Sequence, residues 1–385
     1  SSIDKKLLKI PVWLLSIDDW AVLLNASEKT QMPILRKAIE ISTVFYSGEA
    51  ESTNRKNHML AKTIIGLLNS SESSPSKSDK IITLLTSFST DNINADTLIG
   101  KNRKTLRETI EISFGKMNEV KEVILFLQSY LSPEFMTHEI GRNDIRFSPR
   151  EFLDALKFAI MYEGSMNSQK IQEYTAPLVA RLQSLVESEF SNIFCKTDYE
   201  SKEQFFKQFI ESNNIINIDI SELDDSMSEV FIRVLSKIML DYQKKHSNKA
   251  EKPINIFVEE AHRYIKENRE GNGKYDFDIF QRIAKEGRKY GILLGVSTQR
   301  PSDLSKTVVS QCSNFIIHRI QNPDDLTYIS RMVPYIDKNT IDRLTYLQTG
   351  TALVFGSSIR IPMLTMFDEA IPNTDGRSAR ISEQW

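Results

Sequence analysis

The chain has 385 residues, enough for two or three domains and for a core that needs no disulfide or metal staple. At 40% hydrophobic and 26% charged residues it reads as globular, which excludes a disordered or fibrous chain. Its 49 basic and 51 acidic residues leave a net charge of −2, which excludes coating of nucleic acid through bulk positive charge but permits a local basic channel.

In chain order, the sequence opens at Ser1-Ser2-Ile3 without a methionine or a signal peptide and soon enters the strand-like run 10–16 (IPVWLLS). So abrupt a start is expected of a fragment whose N-terminal part lies elsewhere. The serine-rich stretch 69–78, with Pro75, is a predicted loop. From 101 to 209 the pattern is mostly helical. Ser148-Pro149-Arg150-Glu151 carries a Ser N-cap, Pro at the first helical position and Glu at the third, so a helix starts there. A second is expected after Pro177, carrying Leu178, Leu182, Leu185 and Val186. The last third alternates. Strand runs at 214–220, 254–259, 291–298, 314–320 and 351–355 are interleaved with helical patterns at 229–243 and 276–290. Continuous apolar strands separated by amphipathic helices predict one mainly parallel sheet covered on both faces.

Cys195 and Cys312 form no Cys-x-x-Cys pattern, and reduced thiols point to the cytoplasm. The five His residues are scattered, against a His-rich metal site. The longest apolar runs, 123–127 and 292–296, fall far short of the ~20 residues that span a bilayer.

The chemistry concentrates late in the chain. Ile254-Asn-Ile-Phe-Val-Glu-Glu-Ala-His262 delivers two carboxylates to the C-terminal end of an apolar strand, where ligands gather in open α/β sheets. Alternation along a strand would send Glu259 and Glu260 to opposite faces and give them separate tasks. The plainer reading makes them helix N-terminal acids favoured by the macrodipole. The next strand ends Gly295-Val-Ser-Thr-Gln-Arg-Pro301 and puts Gln299 on the same edge, either as a phosphate sensor or as a loop cap. Arg288, in Lys285-Glu-Gly-Arg-Lys289, is a helix-end cation or an arginine finger. Lys266, Arg269 and Lys274, with Gly271 and Gly273, form a candidate DNA-gripping pore loop or a solvated surface loop. No P-loop is present. The Gly-Lys pairs at 100, 115 and 273 are followed by Asn, Met and Tyr and lack the earlier glycine.

In this order, these residues resemble the HerA branch of the HerA/FtsK family of hexameric DNA-translocating ATPases. The resemblance is clearest over 214–367. It is carried by Ile218-Asp-Ile-Ser-Glu-Leu223, Phe257-Val-Glu-Glu-Ala-His262, Lys285-Glu-Gly-Arg-Lys-Tyr-Gly291 and Ser297-Thr-Gln-Arg-Pro-Ser302. Residues 10–16 look like the segment that follows the family's P-loop region. The resemblance implies an α/β fold, a RecA-like P-loop ATPase core with a mainly parallel sheet and an inserted helical subdomain. The core would occupy 1–100 and 211–367, the insert 101–210, and a tail bracing a neighbouring subunit 368–385. A small β-barrel and the P-loop would lie outside these residues.

By the same resemblance ATP and Mg²⁺ are bound, with Glu259 the magnesium-associated acid and Glu260 the catalytic glutamate. Gln299 becomes the sensor and Arg288 the finger acting on a neighbouring subunit's nucleotide, with Arg300 the next candidate. Glu259 departs from the usual Asp, and its longer reach alters the metal geometry. The implied protein is a homohexameric motor on double-stranded DNA, without a membrane segment. It would work with a nuclease or another effector enzyme in DNA-end processing or anti-phage defence. The alternative is an ATPase-like ring scaffold that assembles and activates a partner enzyme. A conjugative or secretion motor is a third reading, weakened by the lack of any apolar span.

Overall fold

The computed structural model describes residues 8–46, 52–100, 103–113, 116–117, 120–132, 146–167, 170–197, 199, 201–210, 214–245, 252–266, 279–332 and 338–371. The chain divides by contacts into two units, Ser1–Val234 and Leu235–Trp385. The helix Asp225–Lys245 runs across that division, somewhat longer at both ends than its apolar repeat predicts. The partition at 100, 210 and 367 rests on family likeness instead and remains a proposal.

The first unit is built mainly of helices. Ser16 and Asp19 form a reciprocal capping box that starts the helix Ile17–Leu23. That helix buries Trp20, which stacks on Phe152 with ring centroids 4.2 Å apart. Phe152 belongs to the helix Pro149–Asn167, whose predicted capping box is present: Ser148 N–H donates to Glu151 Oε2, and Glu151 N–H to Ser148 Oγ. Of the run 10–16 only Ile10–Pro11 is a strand, paired in parallel with Phe194–Cys195.

Three local expectations are corrected. Residues 69–78 are not one loop, because Ser74 already opens the helix Ser74–Phe88, with Pro75 in its first turn, where a missing N–H costs nothing. Pro177 does not precede its helix but lies inside Lys170–Glu187. The fully buried Leu178 and Leu182 hold that helix through the break, and the Tyr174 carbonyl in the affected turn accepts a hydrogen bond from Gln31 Nε2 at 2.7 Å. Residues 214–220 form no strand. Ile215 is 90% exposed, and a strand without a pairing neighbour has nothing to stabilise it.

The second unit carries the α/β pattern. The strands Ile254–Val258 and Ile292–Val296 pair in parallel, in register from Ile254 opposite Ile292 to Val258 opposite Val296. Between them the chain returns through the helix Ile279–Glu286 and a 3-10 turn, Gly287–Tyr290, ended by Gly291 in the left-handed region. The remaining strands do not join this pair among the described residues. Asn314–Ile317, Thr351–Gly356 and Ile359–Met366 form their own antiparallel sheet, packed on Ile329, Leu344 and Leu347. The parallel pair is also covered less than expected: Phe257 is 84% and Leu293 50% exposed. Gly295 leaves room for the Phe257 ring beside its backbone, since a Cβ there would sit 2.5 Å from the ring.

Candidate active site

The parallel register brings the two polar strand ends side by side. Past Val258 the chain does not continue as a strand. Glu259 and Glu260 are turn residues, so it is a turn that separates their side chains rather than strand alternation. Glu260 has φ 48 and ψ 42, the left-handed conformation that a residue with a Cβ enters at a cost of roughly 1–2 kcal/mol. Among the described residues, Asn25 and Arg103 are the other non-glycine residues with positive φ.

Flanking bonds impose that backbone. Ser297 N–H donates to the Val258 carbonyl at 2.9 Å, and Ala261 N–H donates to the Ser297 carbonyl at 2.9 Å. Ala261 and Ile265 are fully buried and anchor the short 3-10 helix Ala261–Arg263 beneath the turn. Strain held in place by its surroundings is typical of residues that act on a ligand.

The strained turn aims the Glu260 carboxylate across the strand pair. Gln299 Nε2 donates to Glu260 Oε1 at 3.0 Å. His262 Nδ1 stands 3.3 Å from Glu260 Oε2 and 3.1 Å from Thr298 Oγ1. The Thr298 hydroxyl also accepts the Arg300 N–H at 3.0 Å. Glu259 lies exposed beside this cluster at the end of its strand. Its carboxylate makes no hydrogen bond or ion pair with another described residue. The arrangement therefore holds one carboxylate by a hydrogen bond from Gln299 and a longer histidine contact, and leaves a second open to solvent.

The other expected site residues are placed as follows. Arg300 begins the 3-10 turn Pro301–Asp303, with its guanidinium exposed and 4.0 Å from Asp303. Arg288 is exposed in the turn before the strand Ile292–Val296, at the opposite end from Gln299. Five residues at about 3.3 Å each separate those ends by roughly 16 Å, so Arg288 does not share a site with Glu260 of its own chain. Lys266 is exposed and bridges to Leu304, whereas Arg269 and Lys274 lie outside the described residues. Sequence reasoning assigned no role to His262 or Thr298, although both stand in quoted motifs.

Among the described residues no group of three or more His, Cys, Asp or Glu side chains could form a protein cage for a metal. One open carboxylate fits Mg²⁺ better than Zn²⁺ or Ca²⁺, since Mg²⁺ keeps several waters and takes its remaining ligands from substrate phosphates. A phosphate cradle is a different matter. Gly100 cannot serve as one: it has φ 70, and a Cβ there would run into the Glu122 carboxylate. The two cysteines are free, and burial pushes both thiols upward, away from the thiolate a nucleophile needs.

The chain is 27% identical over 228 residues to the probable helicase MJ1565 of Methanocaldococcus jannaschii, covering 58% of this chain and 42% of that protein. It is 39% identical over 129 residues to the probable helicase MJECL08 of the same organism, covering 33% and 24%. It is also 25% identical over 263 residues to the DNA double-strand break repair helicase HerA of Saccharolobus solfataricus, covering 66% and 51%. The chain is a relative of the HerA helicases. No protein-family model matches it. The chain spans about half the length of these relatives, or less. Its mixed α/β content and parallel strand pairs agree with the α/β class that the HerA resemblance implied.

Proposed function

We propose that this chain is the hydrolytic half of an ATP-driven motor on double-stranded DNA. The observation that carries the reading is the Glu260–Gln299 hydrogen bond across two parallel strand ends, with Glu260 held in a left-handed turn. The HerA-type relatives support it, since each is described as a helicase.

In this reading Glu260 orients the attacking water and takes its proton through a carboxylate oxygen. Glu259 would hold Mg²⁺ through water, and that ion neutralises charge on the transferring phosphoryl group. Gln299 shares the strand edge with Glu260 and reports the presence of the terminal phosphate by exchanging its bond to Oε1 for one to the phosphate. These 385 residues contain no P-loop motif, and in this reading they hydrolyse ATP only together with a phosphate-binding region supplied from elsewhere. Arg288, at the far end of its strand, serves the site of the next subunit in a homohexameric ring. Head-to-tail interfaces that close into a ring place one face of each subunit against the opposite face of the next. Lys266, Arg269 and Lys274 grip DNA phosphates without reading sequence. A nuclease or another effector enzyme uses the translocated DNA, in end processing or anti-phage defence. No helix among the described residues is long and apolar enough to cross a membrane. In this reading the motor works in the cytoplasm.

Steady-state ATP hydrolysis by the full-length protein, measured with and without linear duplex DNA, tests this reading. Hydrolysis should rise at least several-fold with duplex and should fall as salt rises, because phosphate contacts release counterions. A rate indifferent to DNA at every salt concentration would favour the scaffold reading.

A further inference from the structure

The Glu260 carboxylate has a polar neighbour at each oxygen, a hydrogen bond at Oε1 and a longer 3.3 Å contact at Oε2. Gln299, the partner on Oε1, is an exposed side chain in a loop. The group facing Oε2 is His262, whose side chain is only 18% exposed and whose backbone sits in the 3-10 helix anchored by buried Ala261 and Ile265. An ionised carboxylate only accepts hydrogen bonds, so the His262 tautomer that suits Glu260 carries its proton on Nδ1. That N–H lies between Glu260 Oε2 and Thr298 Oγ1, at 3.3 and 3.1 Å. Thr298 is fixed in turn by the Arg300 N–H at 3.0 Å, so the imidazole is oriented from the neighbouring strand end.

We propose that His262, oriented by Thr298, is a positioning residue that holds Glu260 in line for attack during hydrolysis. This rests on the reading of Glu260 as the base. If Gln299 leaves Oε1 to meet the terminal phosphate, His262 is the remaining side chain among the described residues in contact with the carboxylate. It acts on Glu260 alone and touches neither water nor phosphate. The left-handed turn makes such a restraint necessary: a strained backbone with an unrestrained side chain would let the carboxylate swing away from the water. Misplacing a reacting group by about 1 Å costs on the order of 10² in rate.

The test uses the full-length protein and measures kcat and the KM for ATP, with Glu260→Gln as reference. His262→Ala should lower kcat by about 10²-fold and leave KM within twofold, because nucleotide binding does not pass through this side chain. His262→Asn places an amide N–H near the position of Nδ1 and should recover most of the loss. Thr298→Val keeps the shape, removes the hydroxyl, and should give a weaker form of the same defect. It also decides the matter if His262→Ala does not fold: a wild-type kcat in Thr298→Val then overturns the proposal. A kcat within twofold of wild type in His262→Ala overturns it as well. So does a loss that His262→Asn fails to recover and that travels with a lower thermal midpoint, since the histidine is then structural. Should Glu260→Gln itself keep its turnover, the reading of Glu260 fails first and takes this proposal with it.

Discussion

Glu260→Gln in the full-length protein should keep nucleotide binding and lose turnover by about 10²–10⁴, the usual contribution of a general base. The amide is nearly isosteric with the carboxylate, so the left-handed turn and the bonds that impose it should survive the change. What is lost is the basic oxygen. The substitution also puts a second amide opposite Gln299, whose Nε2 now donates to Oε1 at 3.0 Å. Either side chain can flip to restore a hydrogen bond, so the fold should be unaffected and its thermal midpoint unchanged. Equilibrium binding of a fluorescent ATP analogue, beside steady-state phosphate release, separates the two effects. A loss of only a few-fold would mean that another group takes the proton.

The second large effect is expected at Arg288. Arg288→Ala should leave the ring assembled and cut turnover by roughly 10³–10⁵, the range for loss of an arginine finger. The structural argument is one of distance. Arg288 stands at the opposite end of the strand Ile292–Val296 from Gln299, with its side chain in solvent. A cation so placed has no task at its own chain's carboxylates, and a head-to-tail neighbour is where it can act. Rings mixed from Arg288→Ala and Glu260→Gln subunits give the sharper readout. Some interfaces then pair an intact finger with an intact glutamate and recover activity, provided hydrolysis does not need every subunit whole. Native mass spectrometry of the mixtures, beside their ATPase rates, checks this. Activity at wild-type level in Arg288→Ala alone would leave it as an ordinary helix-end cation and move attention to Arg300.

The parts of this structure that were legible in the sequence are those set by local chemistry. Ser148 and Glu151 announced a helix start, and their reciprocal hydrogen bonds are there. The alternation of apolar runs with helical repeats placed Ile254–Val258 beside Ile292–Val296 in parallel, which was enough to bring Glu260 and Gln299 to one edge. Features that depend on distant packing were not legible. Pro177 is a strong helix breaker in isolation, yet the burial of Leu178 and Leu182 outweighs the lost hydrogen bond. The left-handed turn at Glu260 carries no Gly or Asn to mark it, because the bonds from Ser297 and Ala261 impose it. His262 went unassigned for a related reason. A lone histidine in a sequence says nothing of its partner, and its partner Thr298 lies 36 residues away across the strand pair.

The central claim is that hydrolysis at Glu260 drives movement along duplex DNA. Displacement of a triplex-forming oligonucleotide from a linear duplex tests it most directly, because only a protein that travels along the duplex strips the third strand. The full-length protein with ATP should release the oligonucleotide progressively, later for more distant sites, and Glu260→Gln should release none. Brisk ATP hydrolysis by the wild-type protein with no displacement at any distance would contradict the account.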